Sequence, residues 1–222
     1  MRLYLSSYRL GCGPDELLAL MRGGRRAAII SNALDHISAD ARALYRTTVY
    51  DPFVDFLRLG ITAENLDLRD YFGEPGILRE RLARVDLVWL MGGNSFILRR
   101  AMRQSGFDRV IATLLDRDEV VYGGFSAGAV VAAPSLAGIE LMDDPLEVPA
   151  GYETDIVWDG LGLVEHAIVP HFRSEHPEAA LAERAATYLT ARGLPFRTLH
   201  DGEVFIRDGV EVVLKGHAYD AA

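Results

Sequence analysis

Short runs of Val, Ile and Leu alternate along the first 125 residues with longer segments of helical period. The apolar runs predict five strands, over 2–7, 27–32, 65–69, 85–91 and 119–124. Helical spacing occupies the intervals, over 15–21, 38–60 (broken at Pro52, which has no amide hydrogen) and 76–84, with a further helix that begins near Ser95. Buried runs separated by helices are typical of a parallel sheet covered on both faces. We therefore predict an α/β fold, a three-layer sandwich with a mostly parallel central sheet.

The pattern changes after about residue 135. Residues 134–164 are rich in Gly, Pro and Asp, and they predict irregular structure with at most one short strand. The remaining elements are expected as a strand over 166–170, a helix over 177–193 and strands near 197–200, 203–207 and 210–214. An Asp-Gly turn of hairpin type joins the last two strands. Because no internal repeat or linker interrupts the chain, residues 1–222 are interpreted as a single α/β domain.

Charge and cysteine content narrow the classes of partner and compartment. The chain has 32 Asp and Glu against 23 Lys and Arg, and this net charge of -9 disfavours nucleic acid and anionic membranes as partners. No apolar stretch reaches the ~18 residues of a membrane span, and the N-terminal apolar run is too short for a secretory signal. The single cysteine, Cys12, precludes an internal disulfide and fits a reducing compartment. We expect a cytoplasmic protein without membrane or nucleic-acid partners.

The segment VVYGGFSAGAVVAAP, residues 120–134, carries the strongest chemical signal. It places Ser126 in a Gly-x-Ser-x-Gly pattern between a predicted strand and a helix of small residues. Such a turn exposes the hydroxyl, the glycines relieve clashes, and the following backbone N–H can donate to an oxyanion. The alternative is a tight turn without chemistry. The strand–turn–helix context favours a nucleophile at the carboxyl edge of the sheet, where ligands of parallel sheets bind.

A nucleophilic serine needs a base, for which histidine is the usual choice. The chain has six candidates: His36, His166, His171, His176, His200 and His217. His171 is the best placed, because it follows the strand at 166–170 and would share an edge with Ser126 if that strand is parallel. His166 begins the strand and His176 is expected to face solvent near the next helix. The five-residue spacing of these three histidines matches neither a strand face nor a helix face, so no metal site is expected.

An acid and a second glycine loop complete the candidate site. Asp201 lies at a turn after a strand, where a carboxylate can orient an imidazole, and Glu203 is the alternative acid. The Gly92-Gly93-Asn94 loop ends the neighbouring strand, so the Gly93 and Asn94 amides can face the same pocket as the amide of Ala127. Alternatively, Asn94 or Ser95 simply caps the following helix.

Three of these motifs together resemble a known family. GGNSF (92–96), GGFSAGA (123–129) and PHF (170–172) are similar, in order and spacing, to the aspartyl dipeptidase (peptidase E) family of serine peptidases, with cyanophycinases as more distant relatives. The resemblance implies a class I glutamine-amidotransferase-like fold in which serine replaces cysteine, and a homodimer. It also implies a role for each of six residues: nucleophile Ser126, base His171, acid Asp201, oxyanion-hole amides of Gly93 and Ala127, and Asn94 shaping the pocket.

Two departures bear on specificity. The family usually has Glu-Gly where this chain has Asp201-Gly202. Members that cleave Asp-X dipeptides follow PHF with a glycine-rich loop and an arginine that pairs with the substrate's aspartate, whereas residues 173–186 here match that loop at no position. Arg173 and Arg184 are the available cations for a carboxylate, although a solvated helix face is the alternative for Arg184. The catalytic class therefore transfers better than the aspartate preference.

Together these features predict a serine peptidase that hydrolyses short peptides, with Asp-X dipeptides as the expected substrate. The reaction would use a Ser-His-Asp triad and an acyl-enzyme, without a cofactor or metal. One alternative is an α/β-hydrolase-type esterase that uses the late His217 as its base. Another is a non-catalytic, small-molecule-binding member of the fold.

Overall fold

The computed structural model describes residues 1–216. Its strands are β1 (Arg2–Ser6), β2 (Arg26–Ile30), β3 (Thr62–Asn65), β4 (Leu87–Leu90), β5 (Val121–Phe125), β6 (Ala167–Val169), β7 (Phe196–Thr198), β8 (Val204–Asp208) and β9 (Val210–Leu214). Its α-helices are α1 (Pro14–Leu20), α2 (Ala39–Thr48), α3 (Pro52–Arg58), α4 (Pro75–Leu82), α5 (Ser95–Ser105), α6 (Phe107–Asp116), α7 (Ala127–Val130) and α8 (Ala179–Ala191). Short 3₁₀ turns lie at Asn32–Leu34, Leu68–Tyr71 and Ile139–Leu141.

Seven strands form one sheet in the order β3-β2-β4-β5-β1-β8-β9. The first five are parallel, and β8 and β9 extend the sheet as an antiparallel hairpin. Both faces are covered, as β4 illustrates: Val88 and Leu90 pack in one apolar cluster with α4 to α7, while Leu87 and Trp89 pack in the other with α1 and α3. The predicted α/β fold with a mostly parallel, helix-covered sheet is therefore confirmed.

Local signals explain where two predicted elements break. The helical segment 38–60 divides into α2 and α3, because Pro52 begins a new helix whose preceding residue, Asp51, accepts a hydrogen bond from the Phe53 amide. The strand predicted at 65–69 was wrong in position, since β3 ends at Asn65. The Asp67 side chain accepts the Arg69 amide and caps a 3₁₀ turn there instead.

The strand before His171 is not part of the central sheet. β6 pairs in parallel with β7 in a separate two-stranded sheet, with Val169 opposite Thr198. The expectation that His171 and Ser126 end strands of one sheet was therefore wrong. Because β6 and β7 are parallel, their carboxyl ends lie at the same edge of the small sheet. His171 comes shortly after the end of β6, and Asp201 shortly after the end of β7. None of the helices within residues 1–216 is long and apolar enough to cross a lipid bilayer.

Candidate active site

Ser126 forms a sharp turn between β5 and α7. Its φ of 48° and ψ of −116° lie in a region that residues with a side chain rarely adopt. The Ser126 amide donates to the carbonyl oxygens of Ser6 and Ser7, each at 3.2 Å, and so ties the turn to the end of β1. The result is a half-buried serine held at the carboxyl edge of the parallel strands.

The glycines of the Gly-x-Ser-x-Gly pattern are sterically required. A Cβ at Gly124 would lie 2.9 Å from the Leu90 carbonyl oxygen, and a Cβ at Gly128 would press still closer on the same atom. In the second glycine loop, a Cβ at Gly92 would lie 3.1 Å from the Ser126 Cβ. The turn, the short helix α7 and β4 therefore pack together only because these positions lack side chains.

Ser126, His171 and Asp201 lie in a continuous chain of hydrogen bonds. His171 Nε2 is 3.1 Å from Ser126 Oγ, and His171 Nδ1 is 2.8 Å from Asp201 Oδ1. An ionised carboxylate can only accept, so Nδ1 carries the hydrogen and Nε2 accepts from the serine hydroxyl. This is the tautomer that a general base needs to take the proton of Ser126.

Ser7 fixes both ends of this histidine–carboxylate contact, and the sequence reasoning missed it. The backbone N–H of His171 donates to Ser7 Oγ at 2.8 Å, and Ser7 Oγ donates to Asp201 Oδ1 at 2.8 Å. Ser7 is fully buried, and His171 is 1% exposed with a φ of 61°. In the sequence, Ser7 is the last residue of the strand predicted over 2–7, and that position at a strand's carboxyl end was the only available signal, since no nearby motif connects Ser7 with residues 171 and 201.

The environment of Asp201 keeps it ionised. Burial alone would raise its pKa, but hydrogen bonds from His171 and Ser7 outweigh burial and hold the pKa of Asp201 below its ordinary value. The Asp201 amide also donates to Ser174 Oγ at 2.8 Å. Glu203, the alternative acid, instead accepts the His200 amide at 2.9 Å. Of the two carboxylates, Asp201 is the one in contact with His171.

His176 lies against the catalytic candidate rather than facing solvent as expected. Its ring stacks on His171 with centroids 3.8 Å apart and an angle of 12° between the planes. Burial, followed by the neighbouring His171, lowers the pKa of His176, so its ring is neutral at neutral pH. The Nδ1 atom accepts the Glu178 amide at 3.2 Å.

Donor atoms of His171, His176 and Glu178 all lie within 4.8 Å of one another, close enough to consider a metal ion. The geometry opposes shared coordination as it stands. In-plane lone pairs of two stacked rings run parallel instead of converging on one point, and Nδ1 of His176 already accepts a hydrogen bond. Coordination would require at least one ring to rotate.

A pocket of about 150 Å³ opens over Ser126 and His171. Its wall includes the aromatic rings of Tyr8, Tyr45 and Phe125. Among the described residues that line it, Glu178 is the one acidic side chain, and none is a lysine or arginine. The lining of the pocket thus combines aromatic rings, one carboxylate and the serine.

The two arginines proposed from sequence lie elsewhere. Arg173 and Arg184 line a separate depression against α8, and neither lines the pocket that contains Ser126. The Arg173 side chain is 72% exposed and pairs with Glu183 at 3.7 Å. The structure therefore does not bring these cations to the serine.

Two backbone amides are available for an oxyanion. Gly93, which lines the pocket, has a φ of 133°, and a Cβ there would lie 2.6 Å from the Ala33 carbonyl oxygen. Within residues 1–216, no protein group accepts a hydrogen bond from the N–H of Gly93 or of Ala127. These are the amides expected at an oxyanion hole next to Ser126.

Asn94 serves the helix rather than the pocket. The backbone N–H of Asn94 donates to the Ala33 carbonyl oxygen at 2.9 Å, so this N–H is not available to an oxyanion. Its Oδ1 accepts the amides of Phe96 and Ile97 and caps α5. Asn94 is 8% exposed and is not among the residues that line the pocket, so the structure supports the capping alternative.

A mostly parallel sheet with a serine turn at its carboxyl edge, and a histidine and carboxylate in line with it, defines an α/β serine hydrolase. Residues 30–215 match the model of peptidase family S51, so the chain belongs to this family and is a serine-type peptidase. It is 30% identical over 208 residues to peptidase E of Streptomyces coelicolor, covering 91% of this chain and 76% of that protein.

Further relatives agree with this assignment. A probable alpha-aspartyl dipeptidase of Drosophila melanogaster is 28% identical over 142 residues, which cover 62% of this chain and 56% of that protein. The crystal structure of a candidate peptidase E from Listeria monocytogenes EGD-e has the same fold, with a TM-score of 0.74 at 22% identity over 96% of this chain and 98% of that one. The predicted resemblance to the peptidase E family is confirmed.

Proposed function

We propose that this serine-type peptidase hydrolyses short peptides with Ser126 as nucleophile, His171 as base and Asp201 as the orienting acid. The observation that carries the proposal is the unbroken contact from Ser126 Oγ through His171 to Asp201, at 3.1 Å and 2.8 Å. Each member is held by the fold: Ser126 by its strained turn, and His171 and Asp201 by Ser7.

The reaction follows from these positions. Ser126 Oγ attacks the scissile carbonyl carbon while His171 Nε2 takes its proton, and Asp201 stabilises the resulting imidazolium. The carbonyl oxygen becomes negative and accepts hydrogen bonds from the amides of Gly93 and Ala127. His171 then protonates the leaving amine. Water, deprotonated by His171, releases the acyl group from Ser126. Apart from the substrate and water, the proposed steps use only groups of this chain, and none of them requires a cofactor or metal.

The size of the site supports short substrates. The pocket over Ser126 holds about 150 Å³, below the range of most drug-sized ligand sites, ~300–1,000 Å³. Tyr8, Tyr45 and His176 line both this pocket and a larger neighbouring groove of about 740 Å³. A residue or two can therefore occupy the pocket while the leaving portion extends into the groove.

A preference for peptides with an N-terminal aspartate is a narrower proposal about the substrate. It is supported by the name of the Drosophila relative, and an aspartate side chain would require a cation beside it. Neither Arg173 nor Arg184 lines the pocket, and the residues that line it include no arginine or lysine. We therefore propose short peptides as the substrate class, with Asp-X dipeptides as one member to test.

Two other interpretations are separable by mutation. An esterase that uses His217 depends on a residue outside the described part of the chain, whereas the contact between His171 and Ser126 favours the peptidase. A non-catalytic binding module would leave Ser126 unreactive. The homodimer and the cytoplasmic location stay predictions.

The test is hydrolysis of Asp-Leu, Glu-Leu and Leu-Leu by wild type, Ser126→Ala and His171→Ala, with His36→Ala, at an exposed histidine that lines neither the pocket nor the groove, as the matched control. We expect turnover that falls by ~10⁴-fold or more in the first two variants and stays unchanged in His36→Ala. Cleavage of Asp-Leu alone would establish the aspartate preference. Cleavage that survives in Ser126→Ala would refute the proposed nucleophile.

A further inference from the structure

Glu178 is a carboxylate in the Ser126 pocket that the proposed reaction does not use. It directly precedes α8, but its side chain does not cap that helix. Its carboxylate accepts no hydrogen bond from any group within residues 1–216, and 41% of the side chain is exposed. Its Oε2 lies 3.9 Å from Nε2 of His171. This is an acceptor without a donor, and it faces the place where the substrate must bind.

The position excludes Glu178 as a second orienting acid. An orienting carboxylate contacts the imidazole nitrogen that does not face the nucleophile, and Asp201 already occupies Nδ1 at 2.8 Å. Glu178 lies on the Nε2 side, beyond hydrogen-bond distance and on the same side as the serine hydroxyl. It therefore faces the substrate rather than supporting the base.

The distances match the amino terminus of a bound peptide. Since 3.9 Å and 3.1 Å add to 7.0 Å, Glu178 Oε2 lies no more than 7.0 Å from Ser126 Oγ. A carbonyl carbon about to be attacked lies ~3–3.5 Å from the nucleophile. Within one amino acid, the α-nitrogen is ~2.5 Å from the carbonyl carbon, and a charged hydrogen bond adds ~2.8 Å. Joined at angles, these three distances bridge the separation between Ser126 Oγ and the Glu178 carboxylate.

We propose that Glu178 binds the α-ammonium group of the substrate and restricts hydrolysis to peptides with a free amino terminus. The proposal rests on the proposed attack by Ser126, because that places the scissile carbonyl. An ammonium group has three donors and no acceptor, which complements a carboxylate that has acceptors only. An N-acylated peptide has no charge there and only one N–H donor, and its acyl group would displace the contact.

Binding to an inactive protein tests the contact without requiring turnover. Ser126→Ala protein, both before and after treatment with EDTA, is titrated calorimetrically with Leu-Leu and Asp-Leu and with their N-acetyl forms. Of the two free dipeptides, the one that binds more tightly should have an affinity about 10-fold or more above that of its N-acetyl form. In the Ser126→Ala/Glu178→Gln protein, we expect this difference in affinity to disappear.

The matched control is Ser126→Ala/Glu183→Gln, which changes an exposed glutamate of α8 outside the pocket and should keep the difference. Discrimination that persists in the Glu178→Gln protein, or that is absent before the change, would overturn the proposal. Discrimination that disappears on EDTA treatment would also overturn it, because a metal ion held by His171, His176 and Glu178 would then bind the amine.

A second measurement separates this proposal from the proposed function. We expect Glu178→Gln to lower kcat/KM for Leu-Leu about 10- to 100-fold and to leave the hydrolysis of p-nitrophenyl acetate, which has no amine, within about 2-fold. Equal losses on both substrates would overturn the proposal by showing that Glu178 supports His171. A wild-type protein that binds the free amine selectively but hydrolyses neither substrate would refute the proposed function alone and support amine binding.

Discussion

The Ser7→Ala variant tests how the triad is held together. Ser7 is fully buried, and its hydroxyl accepts the His171 amide and donates to Asp201, each at 2.8 Å. Alanine leaves a buried backbone N–H without a partner and removes one hydrogen bond to an ionised carboxylate. Each loss is worth ~1–3 kcal/mol, and because they share one hydroxyl we expect the free energy of unfolding to fall by about 2–3 kcal/mol.

The same change should lower activity in a diagnostic way. Ser7 does not line the pocket, so substrate binding and KM should change little. The Asp201 carboxylate loses a restraint, so the His171 ring is oriented less well and kcat should fall by about 10-fold. Urea denaturation followed by tryptophan fluorescence gives the stability, and initial rates with the best dipeptide give kcat and KM.

Ser6→Ala is the control, because Ser6 is equally buried and its hydroxyl donates to the Tyr8 carbonyl without touching the triad. We expect it to cost about 1 kcal/mol of stability and to leave kcat unchanged. If the two variants had the same kcat, Ser7 would have no positioning role and the reasoning would be refuted.

Three further predictions follow from the same structure. Gly128→Ala drives a methyl group into the Leu90 carbonyl oxygen, so urea denaturation should show a loss of about 2–3 kcal/mol, and a loss below about 0.5 would contradict the packing argument. Burial raises the pKa of Asp143 to about 6, so at this group the folded state binds more protons than the unfolded state between pH ~4 and ~6, and the contribution of Asp143 to wild-type stability falls as pH rises through that window. Asp143→Asn should therefore be more stable than wild type by up to about 2 kcal/mol at pH 8 and equal to it at pH 4. If the unfolding free energies of the two proteins changed with pH in parallel, the burial of Asp143 would not be the cause. Asp201→Asn should lower kcat by ~10³–10⁴-fold with Glu203→Gln near wild type, and the reverse result would make Glu203 the acid.

The central sheet and the serine were predictable because their signals are local. The inner parallel strands β1, β2, β4 and β5 are almost entirely buried and are rich in apolar residues, as at 85–91 and 119–124, whereas the edge strand β3 is not. Ser126 stands out because the sterically required glycines, Gly124 and Gly128, lie within two residues of it. The residues that shape the turn therefore lie within two positions of Ser126 in the sequence.

The remaining features depend on pairing and packing between distant segments. The run before His171 has the composition of a strand, but nothing in it shows that it pairs with β7 instead of joining the central sheet. Ser7 meets residues that are more than 160 positions away in the chain. Arg173 and Glu178 lie five residues apart, and only the tertiary path of the chain places the glutamate in the pocket and the arginine outside it.

Labelling with a fluorophosphonate, read by intact-protein and peptide mass spectrometry, tests the central claim most directly. The contact between His171 and Ser126 predicts a single adduct on Ser126 that is absent in Ser126→Ala and forms far more slowly in His171→Ala. A folded wild-type protein that forms no adduct, or one labelled at another serine, would contradict the assignment of Ser126 as the nucleophile.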